Sequence, residues 1–153
     1  MLSVVIPCRS DLSLLEQQFE ALAAQQAGEP WEVVVADNGP TVGLADLAAK
    51  FVDTIPGLRI VDAFDRSGAA HARNVGARNA AGDKIAFIDA DDVAGEGWVA
   101  AIAAAIGPDR LVASRWDIDL LNRPEVRAIR RNGQATGVMD YTYPRYLPHA
   151  GGC

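Results

Sequence analysis

Apolar residues in this chain fall into short runs and helical stripes that take turns. Residues 2–6 form a short apolar run stopped by Pro7, the pattern of a buried strand. Leu15, Phe19 and Leu22 recur at helical spacing, which predicts a helix from 12 to about 26 with one apolar stripe. Ser13 and Glu16 have the spacing of a capping box at its start, and Gly28-Glu29-Pro30 ends it. Residues 31–36 read as a second, Val-rich strand running into the turn Asp37-Asn38-Gly39-Pro40. Leu44, Leu47, Ala48 and Phe51 mark a helix, Pro56-Gly57 breaks the chain, and 58–61 is a short strand. A helix of small residues follows over 68–80, then the turn Gly82-Asp83 and an apolar strand over 84–88. That strand leads straight into Asp89-Ala90-Asp91-Asp92. Residues 98–106 predict a helix, stopped by Gly107-Pro108, and 111–116 a further strand. Beyond this the pattern weakens, with 126–129 and 136–139 reading as a hairpin around Asn132-Gly133.

Strands alternating with helices imply an α/β fold, a mainly parallel sheet with helices on both faces. Sheets of this kind bind ligands beyond the carboxyl ends of their strands. Three polar clusters stand at such ends: Cys8-Arg9-Ser10, Asp37-Asn38-Gly39 and Asp89-Ala90-Asp91-Asp92.

A length of 153 residues suffices for one compact domain with its own core. The net charge of -6 speaks against a general nucleic-acid binder, which carries a basic face. Two cysteines, Cys8 and Cys153, make no disulfide framework and suit a reducing compartment. No basic leader precedes the first apolar run, and no apolar stretch reaches the length of a membrane span. The expectation is a cytoplasmic protein whose membrane contact, if any, is peripheral.

Two carboxylates one residue apart at a strand end, Asp89 and Asp91, point roughly the same way and offer hard oxygens suited to Mg2+ or Mn2+. The plainer alternative is that Asp92 caps the next helix while the others solvate a turn. Asp37 and Asn38 offer hydrogen-bonding groups to the edge of a base or a ribose, or else form an Asx-turn. In the segment 68–76, Ala69, Ala72, Val75 and Gly76 leave one helix face nearly bare, permitting close approach to the sheet. Arg73 on the same turn has an acid of the site or a phosphate as its candidate partners, or else forms a solvated or structural salt bridge. No dinucleotide-binding glycine fingerprint follows the first strand.

Ser3-Val4-Val5-Ile6-Pro7, Val33-Val34-Val35-Ala36-Asp37-Asn38-Gly39, Gly68-x-x-x-Ala72-Arg73-Asn74-x-Gly76, Ala81-Gly82-Asp83 and Phe87-Ile88-Asp89-Ala90-Asp91-Asp92 follow one another in an order and spacing that resembles family 2 glycosyltransferases of the GT-A fold. The likeness covers about residues 2 to 115. It implies a Rossmann-like three-layer α/β/α domain that transfers a sugar, with inversion, from a UDP- or GDP-linked donor to an acceptor hydroxyl of a glycan, lipid or small molecule. It also implies donor contacts at Pro7, Cys8, Arg9, Asp37, Asn38, Gly68, Arg73, Asp89 and Ala90, and a Mn2+ or Mg2+ held by Asp91 with Asp89. Asn38 departs from the commoner second Asp. The family's general base matches no acid here, neither Asp117, Asp119 nor Asp140, so no catalytic residue is assigned. On this reading the chain is a single nucleotide-sugar-binding domain truncated before its acceptor-side half. The alternative is a catalytically incomplete binding remnant. A nucleotidyltransferase ranks third, because no Gly-rich basic loop follows the first strand.

Overall fold

A computed structural model of the chain describes residues 1–9, 12–115, 117 and 122–129. These divide into two compact units, parting between Leu111 and Val112. The first unit runs β1 (Leu2–Cys8), α1 (Leu12–Ala23), β2 (Trp31–Asp37), α2 (Leu44–Ala49), β3 (Arg59–Asp62), α3 (Ala69–Asn79), β4 (Lys84–Phe87) and α4 (Trp98–Ala105).

The four strands make one parallel sheet in the order β3-β2-β1-β4. Valines dominate the two central strands because both of their faces are covered; Val4, Val5, Val33, Val34 and Val35 are wholly buried. Pro7 does not stop β1, which continues to Cys8 with Pro7 opposite Ala36. The carbonyl of Val5 accepts from the Ile88 amide, so alternate residues of β1 bond toward β4. Pro7 comes next on that side, where the pairing with β4 has ended at Phe87, so its missing N–H costs no ladder bond.

From β1 the chain steps one way, through β2 to β3, and then reverses to place β4 on the other side of β1. Right-handed crossovers put α1 and α2 on one face and α3 on the other, giving three layers. Phe19 of α1 meets Phe51, just past α2, edge to face at 5.4 Å. On the opposite face α3 packs on β1, β2 and β3. Its approach is close: a Cβ on Gly76 would lie 2.3 Å from Cγ1 of Val5. Ala72 and Gly76 are buried at this contact and Val75 is half-buried, but Ala69, expected on the same face, is exposed.

At the amino end of the sheet, Glu32 is a buried acid just ahead of the apolar run 33–36. Its Oε1 accepts from Ser3 Oγ at 2.6 Å and the Ala81 amide at 2.7 Å, and Arg59 forks onto both oxygens. The Gly82 amide donates to Ser3 Oγ at 2.9 Å, an approach that a Cβ on Gly82 would block at 2.4 Å from the Met1 carbonyl oxygen. Burial pushes the Glu32 carboxyl up, but the bonds from Arg59, Ser3 and Ala81 outweigh it and hold the pKa near 2.

Several boundaries differ from the sequence expectation. Ser13 lies inside the first turn of α1 rather than before it, and Glu16 accepts from Lys50 Nζ at 2.9 Å. Residues 111–115 form no strand; Leu111 is 80% exposed, and an apolar run with no neighbour to pair with gains nothing from extended pairing. Residues 126–129 belong to α5 (Pro124–Ile129) of the second unit, not to a hairpin. Pro124 at its first position and Glu125 in its first turn are helix-start signals that override the short apolar pair. The companion strand expected over 136–139 lies outside the described residues.

Candidate functional site

The carboxyl ends of β1, β2 and β3, the start of α3 and the segment after β4 meet at one edge of the sheet. The strand order reverses between β1 and β4, so the end of β1 and the segment 88–92 flank a topological switch point. Pro7 is half-buried there, Cys8 is buried, and Arg9 is exposed. Arg9 Nη1 donates to Ser67 Oγ at 2.7 Å, with its side chain passing beside Gly39, so it bridges the end of β1 to the loop before α3. Ser10 lies outside the described residues.

Asp37 and Asn38 follow β2 and are both buried. The Asp37 carboxylate accepts from Thr41 Oγ1 at 2.7 Å and from the Thr41 amide at 3.3 Å, four residues on, which closes the loop leading to α2. Asn38 faces the other way in its bonding. Its Nδ2 donates to the carbonyls of Ala63 at 2.6 Å and Arg66 at 2.8 Å, and its Oδ1 accepts from the Gly68 amide at 2.6 Å. Its own amide donates to the Cys8 carbonyl at 2.8 Å, tying the ends of β1 and β2 together.

Gly68 precedes α3 with φ +131, a backbone conformation that L side chains rarely adopt. One turn on, Arg73 Nη2 donates to Asp89 Oδ1, both side chains being partly exposed. Asp89 therefore receives its cation from α3. Ala90 is half-buried and Asp91 exposed. Asp92 does not cap a helix side chain to backbone: α4 begins at Trp98 behind Gly97. Burial, and then the negative charges of Asp89 and Asp91, push the Asp92 carboxyl up to about 6. Among the described residues no three His, Cys, Asp or Glu side chains gather closely enough to cage a metal.

The segment after Asp92 is held by α1 and the residues just past it in a way the apolar stripe did not announce. Gln18 Oε1 accepts from the Ala94 amide at 2.8 Å, and Gln25 bonds the Val99 amide at 3.1 Å and the Gly95 carbonyl at 3.0 Å. The available signal was a glutamine at position 18, between Leu15 and Leu22 on the buried face.

Residues 3–149 match the sequence pattern described as Glycosyl transferase family 2. The chain belongs to glycosyl transferase family 2. Validoxylamine A glucosyltransferase from Streptomyces hygroscopicus subsp. jinggangensis is 38% identical over 109 residues, covering 69% of this chain and 25% of that protein. A Bacillus subtilis family member, the uncharacterized glycosyltransferase YfnE, is 35% identical over 98 residues, 64% of this chain and 25% of its own length. The chain thus spans about a quarter of the length of these curated relatives. Among solved structures, S. aureus TarS (residues 1–349) superposes with a TM-score of 0.57 at 26% identity, over 68% of this chain and 31% of that one. The mannosyltransferase PcManGT from Pyrobaculum calidifontis, solved with GDP-Man and Mn2+, gives 0.52 at 30% identity, over 60% and 28%. This glycosyl transferase family 2 chain shares with them the GT-A arrangement expected from its motifs. No helix among its described residues is long and apolar enough to cross a membrane.

Proposed function

We propose that this chain forms the donor-binding part of an inverting glycosyltransferase that moves a sugar from a UDP- or GDP-linked donor to an acceptor hydroxyl. One observation carries the reading: the strand-end clusters at Cys8-Arg9, Asp37-Asn38, Gly68 and Asp89-Ala90-Asp91 converge on one edge, beside the switch point between β1 and β4. Family membership supports the transfer chemistry, and the GDP-Man in PcManGT supports a nucleotide sugar as donor. In this proposal the nucleoside lies along Pro7, Cys8, Arg9 and Asp37, with Asn38 and Gly68 at the base of the same pocket. Arg73 steers Asp89, and Ala90 leaves room beside it.

The donor set fits a divalent cation. Asp91 and Asp89 offer hard oxygens and leave coordination positions for water and phosphate, as Mg2+ and Mn2+ prefer. Asp92 stands beside them, its carboxyl pushed up to about 6 by burial first and by the charges of Asp89 and Asp91 second. When bound, such a cation supplies Lewis-acid stabilisation to a departing diphosphate. The Mn2+ in PcManGT supports that assignment. Arg73 neutralises one oxygen of Asp89, which leaves the other for a ligand.

Calorimetry with UDP and GDP in Mn2+ tests the proposal. The wild-type chain binds both, one more tightly than the other, Asp91→Asn weakens that binding by roughly tenfold or more, and Arg73→Ala weakens it too. Unchanged affinity in Asp91→Asn removes that residue from the site. Nucleotide binding without any Mn2+-dependent turnover of a nucleotide sugar marks the chain as a binding remnant.

A further inference from the structure

We infer that Asn38 is a positioning residue that builds the donor pocket and does not read the nucleobase. The inference rests on the donor site proposed above and narrows the role of one residue in it. Asn38 is 6% exposed. A primary amide has two N–H donors, and both are spent, on the Ala63 and Arg66 carbonyls at 2.6 and 2.8 Å. Its oxygen accepts from the Gly68 amide at 2.6 Å. All three partners are backbone groups 25 to 30 residues away, on the loop that joins β3 to α3. A base edge that took a donor from Asn38 would strand a carbonyl in a largely dry place, and one that donated to its oxygen would have to share that atom with the Gly68 amide in a residue only 6% exposed.

What these bonds hold is the rest of the site. The loop carries Ser67, the partner of Arg9, and Gly68, the residue before α3. α3 in turn carries Arg73 to Asp89. Asn38 thereby sets the distance between the end of β2 and the first turn of α3, on which both the Arg9 bridge and the Arg73–Asp89 pair depend. It also accounts for an amide rather than an acid here: a carboxylate cannot donate, and in its place would face two carbonyl oxygens.

The test has two arms on the full chain. In the first, amide hydrogen exchange of the wild-type protein is followed without nucleotide, alongside Asn38→Ala and Asn38→Asp. Exchange over residues 63–70 accelerates by roughly tenfold or more in the variants, while β1 and β2 stay protected. In the second, Kd values for UDP and GDP with Mn2+ are measured for all three proteins. Both nucleotides weaken by the same factor, so their ratio is unchanged, because the damaged element is the pocket wall. A changed UDP-to-GDP ratio with normal exchange over 63–70 makes Asn38 a base reader and overturns the inference while leaving the donor site standing. Absence of binding by the wild-type chain to either nucleotide overturns both. If the variants do not fold, side-chain amide NMR of the unaltered protein decides. The Asn38 Nδ2 protons exchange slowly and hold their shifts when UDP or GDP is added; large shifts that differ between the two nucleotides overturn the inference.

Discussion

Asp37 and Asn38 show how much a single side chain leaves unsaid in a sequence. Both belong to a polar turn after a Val-rich strand, and the sequence marks the pair as strand-end chemistry. Their partners differ: Asp37 closes its own turn on Thr41, whereas Asn38 reaches a loop 25 to 30 residues on. Nothing local distinguishes the two, because the second set of partners exists only once β3 and α3 are packed. Glu32 is set by distant partners in the same way, and its only local sign is a charge between Trp31 and the apolar run 33–36. Its physics makes a definite prediction. The folded carboxyl titrates near 2, below the ordinary glutamate value of 4.5. Its contribution to stability is therefore complete above about pH 4.5 and is lost as pH falls through 2, roughly 3 kcal/mol in all. Urea denaturation of Glu32→Gln at pH 7 is expected to show a loss of about 1–3 kcal/mol, because a glutamine cannot accept the charge-assisted fork from Arg59 together with the bonds from Ser3 and Ala81. The variant's stability then falls less steeply than the wild type's between pH 5 and 2; parallel curves contradict the assignment.

At the scale of elements, long periodic segments were legible and lone apolar runs were not. The helix of small residues and the strand ahead of Asp89 emerge within a residue or two of their observed ends. Residues 111–115 and 126–129 failed as strands, since an apolar run says only that it wants burial and not what will pair with it. The small face of α3 has a mechanical purpose that can be measured. Gly76→Ala places a methyl 2.3 Å from Val5 Cγ1, so it destabilises by about 1–3 kcal/mol even though alanine favours a helix. Adding Val5→Ala makes room, and the double variant recovers part of the loss in a double-mutant cycle. Strict additivity of the two changes would mean that α3 does not bear on β1 at this point.

For the molecule as a whole, the proposed function predicts linkage between ligand and stability. A nucleoside diphosphate with Mn2+ at about 100 times its Kd adds roughly 2.7 kcal/mol to the folded state. A domain of this size then melts about 5–10 °C higher. Chelating the metal with EDTA is expected to cancel most of the shift in a thermal melt, and a shift indifferent to EDTA argues against a cation at Asp89 and Asp91.

The residue order by itself determined the alternation of strands and helices, hence a parallel sheet, and the placing of polar clusters at strand ends. Those follow from short-range periodicity and turn chemistry. Only the tertiary structure decided that β4 lies beside β1, which brings Asp89 to the edge that holds Cys8 and Asp37. It also decided which polar atoms meet: Arg73 with Asp89 across 16 residues, Arg9 with Ser67 across 58. Hydrophobic patterning states which face of an element is buried, whereas the partner of a buried polar group is chosen by whichever distant backbone the packed core brings within 3 Å.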